Sequence, residues 1–109
     1  MTAAAVVPTS GRIVGYMLDS YDADAINRRR AAASSNLPEH RDRNDGSQLH
    51  VGNGVKAGDV FPMMIVRVWG NTPDGAVNGQ VFLDGNDTYW VTSATVGEGE
   101  RHFSWPTRA

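Results

Sequence analysis

The stretch "FPMMIVRVWGNTPDGAVNGQVFLDGNDTYWVTSATV", Phe61 to Val96, decides the fold. Three runs rich in β-branched and aromatic residues, Phe61 to Trp69, Ala76 to Leu83 and Thr88 to Val96, are separated by "GNTPDG" and "DGND". Gly, Pro, Asn and Asp supply the turn conformations that strand residues resist, so the pattern reads as a meander of antiparallel strands. A fourth run, Arg101 to Trp105, follows "GEGE", and "GRIVGYML", Gly11 to Leu18, precedes them all as a first strand. Five closely spaced strands expose pairing edges unless the sheet closes on itself. The expected fold is therefore mainly β: a small five-stranded antiparallel SH3-like barrel with one inserted helix and a long loop.

The helix belongs to "DADAINRRRAAASS", Asp22 to about Ser35, where acidic residues occupy the first turn and Ala and Arg follow; Ser20 or Asp22 is the expected cap. Ala23, Ile26, Arg30, Ala33 and Leu37 fall on one side, a weak stripe that suits a partly docked helix ended by Pro38. The polar segment from Pro38 to Asp59 carries turn signals at Asp45-Gly46 and Asn53-Gly54 and reads as a long solvated connection, a kind of loop that is often functional. The 109 residues thus divide into an N-terminal tail, 1–10, and a single domain, 11–109, with a helix-loop insert over 20–58.

Within the first run of the meander an arginine interrupts the apolar residues. Strict alternation puts Met63, Ile65, Arg67 and Trp69 on one face and Met64, Val66 and Val68 on the other. The second set is wholly apolar and is expected to form the core. Arg67 then lies beside Trp69 on the opposite face, where a guanidinium and an indole can stack a flat anionic ligand, cap a groove or serve an oligomer interface. The plainer alternative is an ion pair between Arg67 and a carboxylate on an adjacent strand, with the aliphatic stem covering apolar surface.

Composition narrows the function classes. A net charge of -2 argues against general duplex nucleic-acid binding, which requires a basic face. With no cysteine, disulfides and thiolate metal sites are excluded. The opening residues lack the basic and long apolar regions of a signal peptide, and no segment has the length of a membrane span, so a cytoplasmic protein without a membrane partner is expected. Nine of the ten Lys and Arg residues are Arg, a skew that follows from GC-rich codons and also suits bidentate recognition of phosphate.

No motif carries a reaction. "HRDRND", His40 to Asp45, contains the tripeptide of a kinase catalytic loop, but Ser47 stands where its asparagine would be and no glycine-rich phosphate loop is present. His40, His50 and His102, with Glu39, lack metal-ligand spacing, so no metal is expected. "DGNDTYW", Asp84 to Trp90, lacks the distal glutamate of a calcium loop and reads as a turn. "RRR", Arg28 to Arg30, is either a solvated face balanced by aspartates or a phosphate clamp leaning over the barrel. Tyr16, Tyr89, Trp90, Phe103 and Trp105 suit a barrel core, and the tryptophans also suit stacking. A non-catalytic protein without a cofactor is the expectation.

The segments "GRIVGYML", "GDVFPMMIVRVWG", "VNGQVFLDGNDTYWVTS" and "HFSWP" resemble the small uncharacterised proteins of actinobacterial phages, which show a GRIVHY-like start, VRVW, QVFLDG and a WHWP-like end. Gly15 departs from the histidine of that pattern, and Phe103 and Ser104 from its more aromatic and basic ending, so no role for those positions carries over. The resemblance implies a phage-encoded protein acting in the host cytoplasm or in the virion.

The leading expectation is a homo-oligomeric binding protein that sequesters a small host molecule, a nucleotide immune signal by class. Arg67, Trp69, Trp90 and Trp105 would stack it and Arg28 and Arg29 would hold phosphate. The alternatives are a virion decoration or tail-associated protein, for which the apolar "AAAVVP" tail speaks, and an inhibitor of a host factor that binds through the Arg- and Asp-rich insert.

Overall fold

The computed structural model describes residues 6–35 and 53–106. Five strands and one helix follow in the order β1 (Ile13–Met17), α1 (Ser20–Ser35), β2 (Val60–Val68), β3 (Val77–Phe82), β4 (Thr88–Val96) and β5 (His102–Ser104). The strands close into a barrel in chain order. The pairings β1–β2, β2–β3, β3–β4 and β1–β5 are antiparallel, and β4–β5 is parallel. The small mainly β barrel with one helix expected from the turn spacing is thus the fold, with mixed strand directions in place of a purely antiparallel sheet. Most of the long loop lies outside the described residues.

The core comes from alternate positions of every strand: Val14 and Tyr16, Met63 and Ile65, Val77 and Val81, Val91 and Ala94, and Phe103. This reverses the expected faces of β2. Met63 and Ile65 are buried, whereas Met64 and Val66 are exposed. The reason is a β-bulge. Ile65 pairs with Gly79 but Arg67 pairs with Asn78, so Val66 is an extra residue and the alternation restarts beyond it. Val68 then turns toward the core and Arg67 and Trp69 stay outside.

A second bulge faces the first. Val77 pairs with Ala94 and Gly79 with Val91, which leaves one extra residue in β4, and Ser93 there takes a left-handed φ of 57°. Inward residues are consequently three apart across both bulges, Ile65 to Val68 and Val91 to Ala94. Both irregularities sit opposite Asn78. Its neighbour Gly79 permits the close approach of β2, since a Cβ there would lie 2.7 Å from the Met64 carbonyl oxygen and from Met63 Cγ.

Helix α1 is capped by Asp19, not by Ser20 or Asp22. The Asp22 N–H donates to Asp19 Oδ1 (2.7 Å) and the Asp19 N–H donates to Asp22 Oδ2 (3.1 Å), a reciprocal capping box. Ala23, Ile26 and Arg30 are buried, as the weak stripe requires, while Leu37 lies outside the described residues. The buried Asp22 carboxylate also accepts the hydroxyls of Tyr16 and Tyr89, each at 2.8 Å. Burial, then the bond to Asp22, pushes both phenols well above their ordinary pKa. Asn27 fixes the return of the insert, donating to the Val55 carbonyl (2.7 Å) and accepting the Val55 N–H (2.9 Å).

The described part of the tail is docked rather than free. Pro8 is buried, the Ser10 hydroxyl donates to the Val66 carbonyl (3.1 Å), and the Gly11 N–H donates to the Ile65 carbonyl (2.7 Å). No described helix is long and apolar enough to cross a membrane.

Candidate functional site

The bulge in β2 produces the one arrangement in which a cation and an aromatic ring meet on the outer surface of the β2–β3 hairpin. The Arg67 guanidinium lies over the Trp69 ring, 4.2 Å from its centroid. Trp69 remains 55% exposed, so ring surface is left for a further stacking partner. The indole is oriented by its N–H, which donates to Asn78 Oδ1 (3.1 Å). The same oxygen accepts the Ser93 N–H (2.9 Å), so one side chain fixes the two bulges and the ring together. Arg67 forms no ion pair with any described residue, and the carboxylate partner of the plainer expectation is absent among them.

The other expected site residues are distributed elsewhere. Trp90 is 45% exposed and faces outward opposite Gln80, which in turn is opposite Met64 and, one strand further, Ile13. Trp90 is therefore not a core residue. Trp105 is half-buried, meets Phe103 edge-to-face at 5.9 Å, and carries the Arg12 guanidinium 5.0 Å from its centroid.

Arg28 and Arg29 lie on α1. The Arg28 Nε–H contacts the Asp24 carbonyl at 3.4 Å, and Arg29 pairs with Asp87 at 3.0 Å in the β3–β4 connection. The length of β3 separates that connection from Trp69, on the order of 20 Å at strand rise. The structure therefore groups Arg67 with Trp69 and leaves Arg28 and Arg29 apart from them.

The third arginine of "RRR" has an internal role. Arg30 is buried between Asp87 (3.2 Å) and Asp84 (3.4 Å), and donates to the carbonyls of Asp84 (3.0 Å) and Asn53. The turn aspartates of "DGND" are thus counter-ions. Asp84 is held below the ordinary carboxylate range by the hydrogen bond from the Asn53 backbone, then by Arg30. At Asp87 partial burial acts upward, but hydrogen bonds and charge from Arg30 and Arg29 outweigh it and keep the carboxyl low.

Asn78, Ser93 and Arg12 were not legible as site residues. Asn78-Gly79 inside a strand pattern is the available signal, because a lone glycine there marks a bulge or a close backbone approach. Nothing in the sequence marks Ser93 for a left-handed φ. His40, His50, Arg41 and Arg43 lie outside the described residues, and the described ones contain no group of three His, Asp or Glu able to hold a metal.

Two cavities run along the β1–β5 seam, of about 180 and 430 Å³, and neither is lined by Arg67 or Trp69. No protein-family model, no curated protein and no solved structure matches the chain.

Proposed function

We propose that this protein is a non-catalytic binding protein that captures a flat anionic ligand of nucleotide type on the Arg67–Trp69 platform. The observation that carries this reading is an exposed guanidinium with no carboxylate among the described residues, stacked 4.2 Å from an exposed indole whose orientation is fixed by Asn78. An unpaired arginine offers planar donors to phosphate, and the free ring surface offers a base a stacking partner. Trp105 is engaged by Arg12 rather than by Arg67, Trp90 lies two strands from β2, and Arg29 is committed to Asp87. A closed ligand pocket would come from a second copy, which the exposed Met64, Val66, Phe82 and Trp90 favour as an apolar outer face. In the phage setting that the resemblance suggests, the role is sequestration of a nucleotide immune signal in the host cytoplasm.

The test is isothermal calorimetry against a panel of cyclic and linear nucleotides, with Arg67→Ala as control. Saturable heat that the substitution removes supports the reading; silence across the panel ends it.

The same exposed apolar face favours a second reading, a virion component packed against neighbours, to which exposed Val6 and Val7 add. Mass spectrometry of purified particles decides it, since absence from virions excludes a structural role. Residues 36–52 of the insert on which an inhibitor would depend lie outside the described residues.

A further inference from the structure

The outer surface of β1 to β4 carries an apolar face that the barrel itself leaves uncovered. One rung of side chains crosses four strands in register: Ile13 opposite Met64, Met64 opposite Gln80, and Gln80 opposite Trp90. Beside it, toward the β3–β4 connection, Gly15 stands opposite Pro62 and Phe82 opposite Thr88. Directly opposed side chains are about 5 Å apart, so the rungs form one continuous surface. Ile13, Met64, Phe82 and Trp90 are each more than a third exposed. The core is complete without them, since Val14, Met63, Ile65, Val81 and Val91 fill the inward positions of the same strands.

Charge decides what suits this face. No Asp, Glu, Lys or Arg stands on these rungs, although a fifth of the chain is charged. The cations at its margin, Arg12 and Arg67, lie over the rings of Trp105 and Trp69. In a two-fold contact a patch meets its own copy, so a charge near the axis faces a like charge; a neutral patch escapes that cost.

The polar group at the centre is also self-complementary. Gln80 is half-buried, and its amide makes no hydrogen bond with another described residue. A glutamine amide both donates and accepts, so it can pair with its own copy across a two-fold axis, which neither an ammonium nor a carboxylate can do. The closed barrel presents no free strand edge, which leaves face-on-face packing as the way for two copies to meet. Four strands about 4.8 Å apart and five residues at about 3.3 Å rise make a patch roughly 15 to 20 Å on a side. Standard interfaces take roughly 800 Å² from each partner, so the contact belongs to the small, reversible class.

We propose that this face is a homodimer interface, covered by a second copy of the chain about a two-fold axis at Gln80. The two Gln80 amides pair at the axis, and Trp90 of one copy lies on Met64 of the other, a rigid ring against a flexible thioether. The proposal deepens the reading above, on which it rests for the part a second copy plays in closing the ligand pocket; the contact itself needs no ligand.

The test is sedimentation equilibrium on the full chain without nucleotide, from about 5 to about 500 µM, with Gln80→Glu and Gln80→Lys as variants. The expected result is a reversible monomer–dimer equilibrium in the parent, at least about tenfold weaker in either variant alone and restored when the two variants are mixed. Only a contact in which position 80 meets position 80 turns two repulsions into one attraction, and a variant that had merely lost its fold would not be rescued by mixing. A parent that stays monomeric through the whole range overturns the proposal and gives the face to a different partner. A dimer that neither variant weakens, or a mixture that restores nothing, overturns it as well. Calorimetric silence toward nucleotides with the dimer intact defeats the platform alone, and nucleotide heats from a monomer defeat the dimer alone.

Discussion

The two ends of β3 treat charge in opposite ways. At the β3–β4 end, Arg29, Arg30, Asp84 and Asp87 form a closed network that ties α1 to the barrel, with the Arg30 side chain only 6% exposed. At the β2–β3 end, Arg67 has a tryptophan for company and no counter-ion among the described residues. A buried cation must be paired because desolvation costs several kcal/mol; an exposed one keeps its water and needs no partner. The arginines of the first end therefore serve the fold, whereas Arg67 stays at the surface without a counter-ion among the described residues.

This comparison can be broken at its structural end. The largest effect is expected for Asp22→Ala, which takes the acceptor from the buried hydroxyl of Tyr16 and the part-buried one of Tyr89 and removes half of the capping box; the loss should be about 3 kcal/mol in denaturant unfolding. A loss below about 1 kcal/mol shows that water replaces the carboxylate. Arg30→Ala should cost about 2 kcal/mol by the same measurement, as hydrogen bonds to charged groups disappear from a buried position. An unchanged midpoint removes the network as the tie between α1 and the barrel.

The same network sets the acid limb of stability. The folded-state pKa values of Asp84 and Asp87 lie below their unfolded values, so their contribution is present above about pH 4 and is lost as pH falls through the folded values. Arg30→Ala should flatten that limb in denaturation series run from neutral to acid pH. The phenols of Tyr16 and Tyr89 are raised, so their contribution is complete below about pH 10 and fades at higher pH. An acid limb equally steep in the variant assigns it to other carboxylates.

Smaller effects sharpen the other end. Asn78→Ala should cost about 1 kcal/mol, since the Ser93 N–H and the Trp69 indole lose one shared acceptor on exposed bulges. It should also broaden the Trp69 indole resonance; an indole signal as sharp as before means that packing alone holds the ring. Arg67→Ala should change stability by no more than about 0.5 kcal/mol while abolishing nucleotide heats. A loss of several kcal/mol would make Arg67 a structural residue and dissolve the contrast between the two ends.

Much of the barrel was legible. Turn residues at "GNTPDG", "DGND" and "GEGE" placed the strands to within one or two residues, because few backbone conformations suit both those turns and the runs beside them. The stripe of Ala23, Ile26 and Arg30 likewise gave the buried side of α1. The inward face of β2 was misread because alternation holds only for an unbroken ladder, and a single extra residue at Val66 reverses it. The capping residue was missed by one position, since Asp19, Ser20 and Asp22 all carry suitable oxygens and only the hydrogen-bond geometry separates them.

The sequence by itself determined the number and order of the strands, the helix between the first two, and the neighbourhood of Arg67 and Trp69, all set by contacts local in the chain. Only the tertiary structure decided which face of β2 is the core, which arginine is buried, and that β4 and β5 meet in parallel. Those outcomes depend on partners that only the closed sheet brings together, Arg67 against Asn78, Arg30 against Asp87 and Val96 against Phe103. Local propensity carries no record of such meetings.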